Sequence, residues 1–163
     1  ACGMPFVDLA HLTHDNIVGD ELVYNRCKTN VLVRVGITPG MRRLLDKYSL
    51  TGNRYLFPVL QEEADGERLY EVYKQALHRY NGCLAEIGSR LSIPVYLTSY
   101  VFRHTWATEA LRNDTPVAVI SQALGHTSER TTRHYLAALD QSRLNSANEV
   151  ITKGLDVLIG VRA

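Results

Sequence analysis

Several things this chain lacks narrow what it can be. Cysteine is scarce, with Cys2, Cys27 and Cys83 the full set. An odd number without metal-ligand spacing builds no disulfide framework, and it fits a reducing, cytosolic compartment. No apolar run reaches the ~18 residues of a membrane-spanning helix, and no signal-peptide pattern is present. Neither charge sign dominates: 18 Lys+Arg against 17 Asp+Glu leaves a formal net charge of +1. A dedicated nucleic-acid coat is usually more basic. There is no glycine-rich phosphate loop, no carboxylate cluster to hold a divalent metal, no internal repeat and no low-complexity tract. A phosphate-loop ATP site and a carboxylate-held metal are therefore not expected.

What is present is enough for one domain. The chain has 163 residues, 45% of them apolar, sufficient to bury a core. Phe6 to Leu12 is a short helix-compatible segment, and Asp15-Asn16 reads as a turn. Glu21 to Arg26 and Val31 to Val35 are two β-type runs around Cys27-Lys28-Thr29-Asn30, which predicts a hairpin. Thr38-Pro39 caps a helix to about Tyr48, with Met41, Leu44 and Leu45 expected on its buried face. Ser49 to Asp65 is irregular, with Leu56 to Leu60 tucked onto the core. Asp65 then caps a long amphipathic helix to about Leu91, with Leu69, Val72, Tyr73, Ala76, Leu77, Tyr80, Leu84 and Ile87 on one face. Asn81-Gly82 is a candidate break in it. Three further helices follow: from the Thr98-Ser99 cap to about Leu111, from Thr115-Pro116 to the Gly125 stop, and from Thr127-Ser128-Glu129 onward. A last helical segment is expected over Gln141 to Lys153. The fold class predicted is mainly α with a small antiparallel β-hairpin.

Three places in the C-terminal half stand out. Arg103 is predicted within the first turn or so of its helix, where unsatisfied N–H groups already carry partial positive charge. Guanidinium binds phosphate bidentately, so an anion would suit it there. The competing reading is a solvated arginine or one paired with Glu109 or Asp114. His126 enters the turn after Gly125 and is either a phosphate donor or a local structural histidine. Tyr135 lies on the following helix, either packed in the core or reactive.

The order of these residues is more informative than any one of them. Residues 97 to 136, LTSYVFRHTWATEALRNDTPVAVISQALGHTSERTTRHYL, resemble the C-terminal motif of the tyrosine recombinases, the phage-integrase family of DNA strand-exchange enzymes. The hairpin Tyr24 to Thr29 is similar to the family's, with a lysine before a threonine. The opening Gly3 to Ala10 looks like its first box, especially as in integrases of Bacteroides-type mobile elements.

The resemblance implies the tyrosine recombinase catalytic-domain fold over residues 1–163. It implies that Tyr135 attacks a scissile phosphate of double-stranded DNA to form a 3′-phosphotyrosine. Arg103 and His126 would hold the phosphate oxygens, and Lys28 would protonate the leaving 5′-oxygen. Because the covalent bond conserves the phosphodiester energy, no cofactor is needed. The expected partner besides DNA is further copies of the chain, in a tetrameric synapse, with no membrane involved. The family usually carries an N-terminal helical domain, so a catalytic fragment of a longer bacterial, cytoplasmic, DNA-associated protein is expected. In the family, the segment matching Gln141 to Ala163 docks in a neighbouring protomer.

Two positions depart from the family pattern. A histidine is usual three residues before the helical arginine, and this chain has Tyr100. The first box usually supplies a second phosphate-clamping arginine, and this chain has Cys2 and Pro5 at those positions. Arg26 is the nearest candidate to fill that role, because on a strand it shares a face with Lys28. The alternative is an arginine on the solvated face of the hairpin. Candidate DNA-backbone contacts are Arg34, Arg42 and Arg43, from the most basic stretch, and Arg130 and Arg133 beside the tyrosine. His104, His134, Trp106 and Asp8 read mainly as structural residues, with Asp8 a candidate partner for a nearby cation. Competing functions are a type IB topoisomerase-like nicking and sealing enzyme, a binding module that has lost catalysis, and a metal hydrolase built on the histidines.

Overall fold

The computed structural model describes residues 1–49, 52–60 and 66–136. Its elements run α1 (Phe6–Ala10), a 3-10 turn (His14–Asn16), β1 (Ile17–Val18), β2 (Glu21–Asn25), β3 (Leu32–Gly36), α2 (Pro39–Tyr48), α3 (Gly66–Arg90), α4 (Ser99–Arg112) and α5 (Val117–Leu124). Residues 129–136 are helical again and carry Tyr135. The architecture is mainly helical around one small antiparallel sheet of order β1-β2-β3. The helical segment expected over 141–153 and the cap expected at Asp65 lie outside the described residues.

The hairpin follows from period-two burial. Leu22 pairs with Val35 and Tyr24 with Val33, and all four side chains are buried. Val23 and Arg34 face the other way, where Arg34 is exposed. The two-residue strand β1, pairing Ile17 with Leu22, makes the hairpin a three-stranded sheet. Two residues are too few for an alternation signal, which is why the sequence shows only a hairpin.

One face of the sheet joins Leu12, Leu45 and Leu56 in a core cluster. A second cluster (Ala107, Leu111, Ile120, Leu124 and Leu136) binds α4, α5 and the Tyr135 helix together. A third packs Ala10, Tyr55 and Leu60 against Leu69, Val72 and Tyr73 of α3.

Three local expectations are corrected. Leu44 is 56% exposed while Leu45 is buried. Adjacent helix positions are ~100° apart, and the narrow stripe Met41–Leu45 takes up the contact with the sheet. The helix α3 is continuous through Asn81-Gly82. The Asn81 side chain does not end its own helix; its Oδ1 accepts from the Ser99 N–H at 2.8 Å and caps the start of α4. Finally, Tyr80 and Ile87 on the apolar stripe of α3 are exposed, while Leu84 between them is buried.

Candidate active site

The site forms where α1, the hairpin tip, α4, α5 and the Tyr135 helix meet. A cleft there is lined by Arg26, Lys28, Thr29, Tyr100, Arg103, His126 and Tyr135 among others. All six residues singled out from the sequence as catalytic candidates therefore share one cavity.

Arg103 is the fifth residue of α4, a full turn inside the helix rather than at its N-terminus. It is held by main-chain oxygens, donating to the Gly3 carbonyl at 2.9 Å and the Leu124 carbonyl at 2.6 Å. It makes no pair with Glu109, which binds Arg112 instead. Burial and the neighbouring Arg26 guanidinium pull Arg103 below its ordinary pKa.

Arg26 is buried and also donates to the Leu124 carbonyl. Its Nε lies 2.7 Å from Asp8 Oδ2, an ion pair whose carboxylate side chain is fully buried. Asp8 Oδ1 accepts from the Cys27 N–H at 2.8 Å, which ties α1 to the hairpin tip. The arginine thus points into the fold rather than onto a solvated hairpin face. Among the described residues, two buried guanidiniums share one carbonyl, and Asp8 is the carboxylate paired with one of them, Arg26. An excess of positive charge at low exposure favours an anion.

Two glycines make this approach possible. Gly3 has φ +65°, and a Cβ there would meet the Arg103 backbone at 3.2 Å. Gly125 ends α5 with φ +62°, and a Cβ would come within 2.6 Å of Arg26 Cγ. At Gly125 both the left-handed backbone and the space demand glycine.

His126 bridges the two halves of the site. Its Nδ1 is 2.8 Å from Thr132 Oγ1 and its Nε2 is 3.3 Å from Arg103. Arginine can only donate, so Nε2 accepts and Nδ1 carries the proton toward Thr132. Burial first, then the cations Arg103, Arg26 and Lys28, push the imidazole down to about 4. It is neutral at neutral pH, and its Nε2 is an acceptor in this state, where the sequence suggested a donor.

Tyr135 is half-buried, and among the described residues its hydroxyl has no hydrogen bond of good geometry, only a loose one with the Tyr100 phenol. Burial raises the phenol well above its ordinary pKa, the Tyr100 phenol adds to this, and Arg103 pulls the other way. Three rings surround it. His104 is stacked at 4.0 Å between centroids, with Tyr100 edge-on at 6.2 Å and His126 at 6.1 Å. Lys28 is exposed at the hairpin tip, where the next residue, Thr29, donates to the Gly125 carbonyl at 3.0 Å.

The outer cations are placed differently. Arg34 pairs with Glu21 at 2.5 Å, Arg42 with Asp20 at 2.9 Å, and Arg133 with Glu129 at 3.3 Å. Arg43 and Arg130 are exposed. None of these five lines the cleft. His104, read from sequence as structural, is exposed and lies on Tyr135. Sequence reasoning gave no role to Thr132, or to the main-chain oxygens of Gly3 and Leu124. A carbonyl contact leaves no side-chain signal.

Residues 1–142 match the phage integrase family. The chain belongs to that family. A tyrosine recombinase of Pseudothermotoga lettingae is 33% identical over 55 residues, covering 34% of this chain and 19% of that protein. Among solved structures, XerA recombinase superposes with a TM-score of 0.61 at 23% identity, covering 89% of this chain and 54% of that one. XerH site-specific recombinase, solved in a post-cleavage complex with its palindromic difH substrate, superposes at 0.65 with 18% identity, covering 91% and 42%. At these identities the likeness speaks for the fold of the phage integrase domain, which is mainly helical with a small antiparallel sheet. The chain spans about half the length, or less, of these relatives. Among the described residues, no helix is long and apolar enough to cross a membrane, and no group of three or more His, Cys, Asp or Glu is placed to hold a metal ion.

Proposed function

We propose that this phage integrase domain cleaves and rejoins double-stranded DNA through a 3′-phosphotyrosine on Tyr135. The observation that carries the reading is the convergence of two buried arginines, Arg26 and Arg103, with Lys28 and His126 on the cleft that Tyr135 lines. Four cationic or polarising groups of this kind, with a hydroxyl nucleophile among them, suit phosphoryl transfer without a metal.

In the reaction the Tyr135 oxygen bonds to phosphorus and the P–O5′ bond breaks. Lys28, on the exposed hairpin tip, gives a proton to the departing 5′-oxygen. Arg103 and Arg26 clamp the non-bridging oxygens, with Arg26 in the role that the family's first-box arginine has, where this chain carries Cys2 and Pro5. The phenol proton leaves to solvent water, with the Arg103 charge favouring the phenolate. Once Arg103 engages the phosphate, Nε2 of neutral His126 can carry the ring proton and donate to a phosphoryl oxygen, with the Thr132 hydroxyl donating to Nδ1. Tyr100 supplies a further hydroxyl at the edge of the nucleophile. Attack by a second 5′-hydroxyl reverses these steps and reseals the strand.

Arg43 and Arg130 are the better-placed contacts to the DNA backbone. Arg34, Arg42 and Arg133 would first have to share their charge with Glu21, Asp20 and Glu129. The wider assignment includes recombination between two sites in a homo-tetrameric synapse, as the catalytic part of a longer bacterial, cytoplasmic recombinase of the Bacteroides mobile-element type. It rests on the sequence resemblance.

A nicked suicide substrate tests the chemistry. The expected product is a denaturation-resistant protein–DNA adduct that is lost in Tyr135→Phe. An adduct that persists in Tyr135→Phe would move the nucleophile elsewhere. Arg26→Ala is expected to slow adduct formation by roughly 10²–10³, the usual loss for one charge-assisted contact in such a site. Cleavage by Arg26→Ala at the unmodified rate, with Arg103→Ala inactive, would remove Arg26 from the clamp.

A further inference from the structure

Among the described residues, the Tyr135 hydroxyl has only a loose hydrogen bond with the Tyr100 phenol, and none of good geometry, to aim it. A tyrosine that turns about its side-chain torsions swings its oxygen through an arc, so something else must fix the ring. The ring packs at the edge of the Ala107, Leu111, Ile120, Leu124 and Leu136 cluster, and of the aromatic rings around it only His104 lies flat on it, 4.0 Å away with the planes within 2°.

We propose that His104 is a positioning residue for the nucleophile: its imidazole, stacked face-on against Tyr135, sets the direction in which the hydroxyl enters the cleft. The inference rests on Tyr135 being the nucleophile. Helix geometry explains the arrangement. Adjacent residues diverge by ~100°, so Arg103 turns inward to the carbonyls while His104 turns outward and stays exposed. Tyr100 is one turn before His104 on the same face, and its ring meets the imidazole edge-on at 4.6 Å. Tyr100, His104 and Tyr135 therefore form a three-ring rack, edge on face and face on face. It is built across two helices, α4 and the helix at residues 129–136.

The geometry separates positioning from proton transfer. The lone pair and N–H of an imidazole lie in the ring plane. In a parallel stack they run alongside the phenol and cannot point at its oxygen. Burial and Arg103 also lower the His104 pKa, which keeps the ring uncharged against the phenol. What the residue contributes is a flat aromatic surface, and phenylalanine can supply the same surface without any titratable group.

The test has two arms on the 163-residue chain. In single-turnover cleavage of the suicide substrate, His104→Ala is expected to lose roughly 10- to 100-fold in rate, the scale of a small misplacement of reacting atoms. DNA affinity should be unchanged. His104→Phe is expected to restore the rate with the same pH profile as the unmodified chain. In the second arm, without DNA, NMR of ring-labelled tyrosine reads the stack directly, with the Tyr135 signal assigned by its loss in Tyr135→Phe. Its ring-current shift should shrink in His104→Ala and persist in His104→Phe. An unmoved Tyr135 signal in His104→Ala overturns the proposal, as does cleavage by His104→Ala at the unmodified rate. A His104→Phe variant as slow as His104→Ala would make the imidazole a proton carrier and also overturn it. If the unmodified chain gives no Tyr135-dependent adduct, the strand-cleavage reading fails, and the stack is still decided by the NMR arm.

Discussion

Neutralising Asp8 should both unsettle the fold and disarm the cleft, in amounts that can be told apart. Asp8→Asn keeps the shape of the side chain and an oxygen for the Cys27 N–H, but it removes the charge 2.7 Å from Arg26 Nε. Arg26 would then be a guanidinium only 7% exposed, with Arg103 beside it and no paired carboxylate. Stranding one partner of a buried ion pair costs about 3–5 kcal/mol. That is a large share of the ~5–15 kcal/mol that holds a domain together. For a chain of this size each kcal/mol shifts Tm by ~2–4 °C, so a fall of roughly 6–20 °C is expected by circular dichroism. Adding Arg26→Gln removes the stranded charge, so the double variant should recover most of the loss, giving a coupling energy of ~0.5–3 kcal/mol or more in a double-mutant cycle. The recovered fold should still cleave DNA ~10²–10³ more slowly, since the clamp has lost an arginine. A fall of less than ~1 kcal/mol in Asp8→Asn, within the range of ordinary substitutions, would refute the idea that Arg26 depends on Asp8. A double variant that cleaves at the full rate would refute the clamp.

Gly125→Ala places a Cβ 2.6 Å from Arg26 Cγ on a left-handed backbone. The conformation alone costs ~1–2 kcal/mol, and moving Arg26 should slow cleavage as well; unchanged Tm and rate would contradict this. The folded state holds His126 at about 4, below its ordinary 6.5. Its contribution to stability is therefore full above pH ~6.5 and is lost as pH falls toward ~4, because the unfolded chain takes up the proton first. His126→Gln should flatten the Tm–pH curve over that window, and parallel curves would count against the assignment. Tyr135→Phe deletes a buried hydroxyl that no hydrogen bond of good geometry satisfies among the described residues. Its Tm should hold or rise by the equivalent of up to ~1 kcal/mol, and a marked fall would reveal a partner for the oxygen.

How much of this was legible in the sequence depended on whether the signal was local. Thr38-Pro39 opens α2 with the expected side-chain cap, Thr38 Oγ1 accepting from Met41 N–H at 3.3 Å. Alternation fixed the faces of β2 and β3, and Gly125 marked the end of α5. The continuous likeness over residues 97 to 136, which contains Arg103, His126 and Tyr135, is what suggests the family. Contacts across long stretches of chain were harder to read. Asp8 could be named only as a partner for some cation, because pairing it with Arg26 requires α1 to be laid against the hairpin. Asn81 looked like a breaker of α3, because the group it caps, the Ser99 N–H, lies in another helix. α4 starts at the expected Thr98-Ser99 boundary, with Thr98 at the N-cap but no side-chain cap bond, and counting from there puts Arg103 fifth in the helix, just beyond the first turn.

The Leu124 carbonyl, which receives Arg26 and Arg103 together, has a consequence for how such a site can change over generations. A main-chain oxygen is present whatever side chain stands at the position. Residue 124 could drift among apolar types that still fill the α5 core without releasing either arginine. The vulnerable positions are its neighbours in space: the glycine that follows it, where any side chain would crowd Arg26, and Asp8, whose carboxylate offsets one of the two charges. The anchorage of both arginines is thus insulated from substitution at the very residue that provides it.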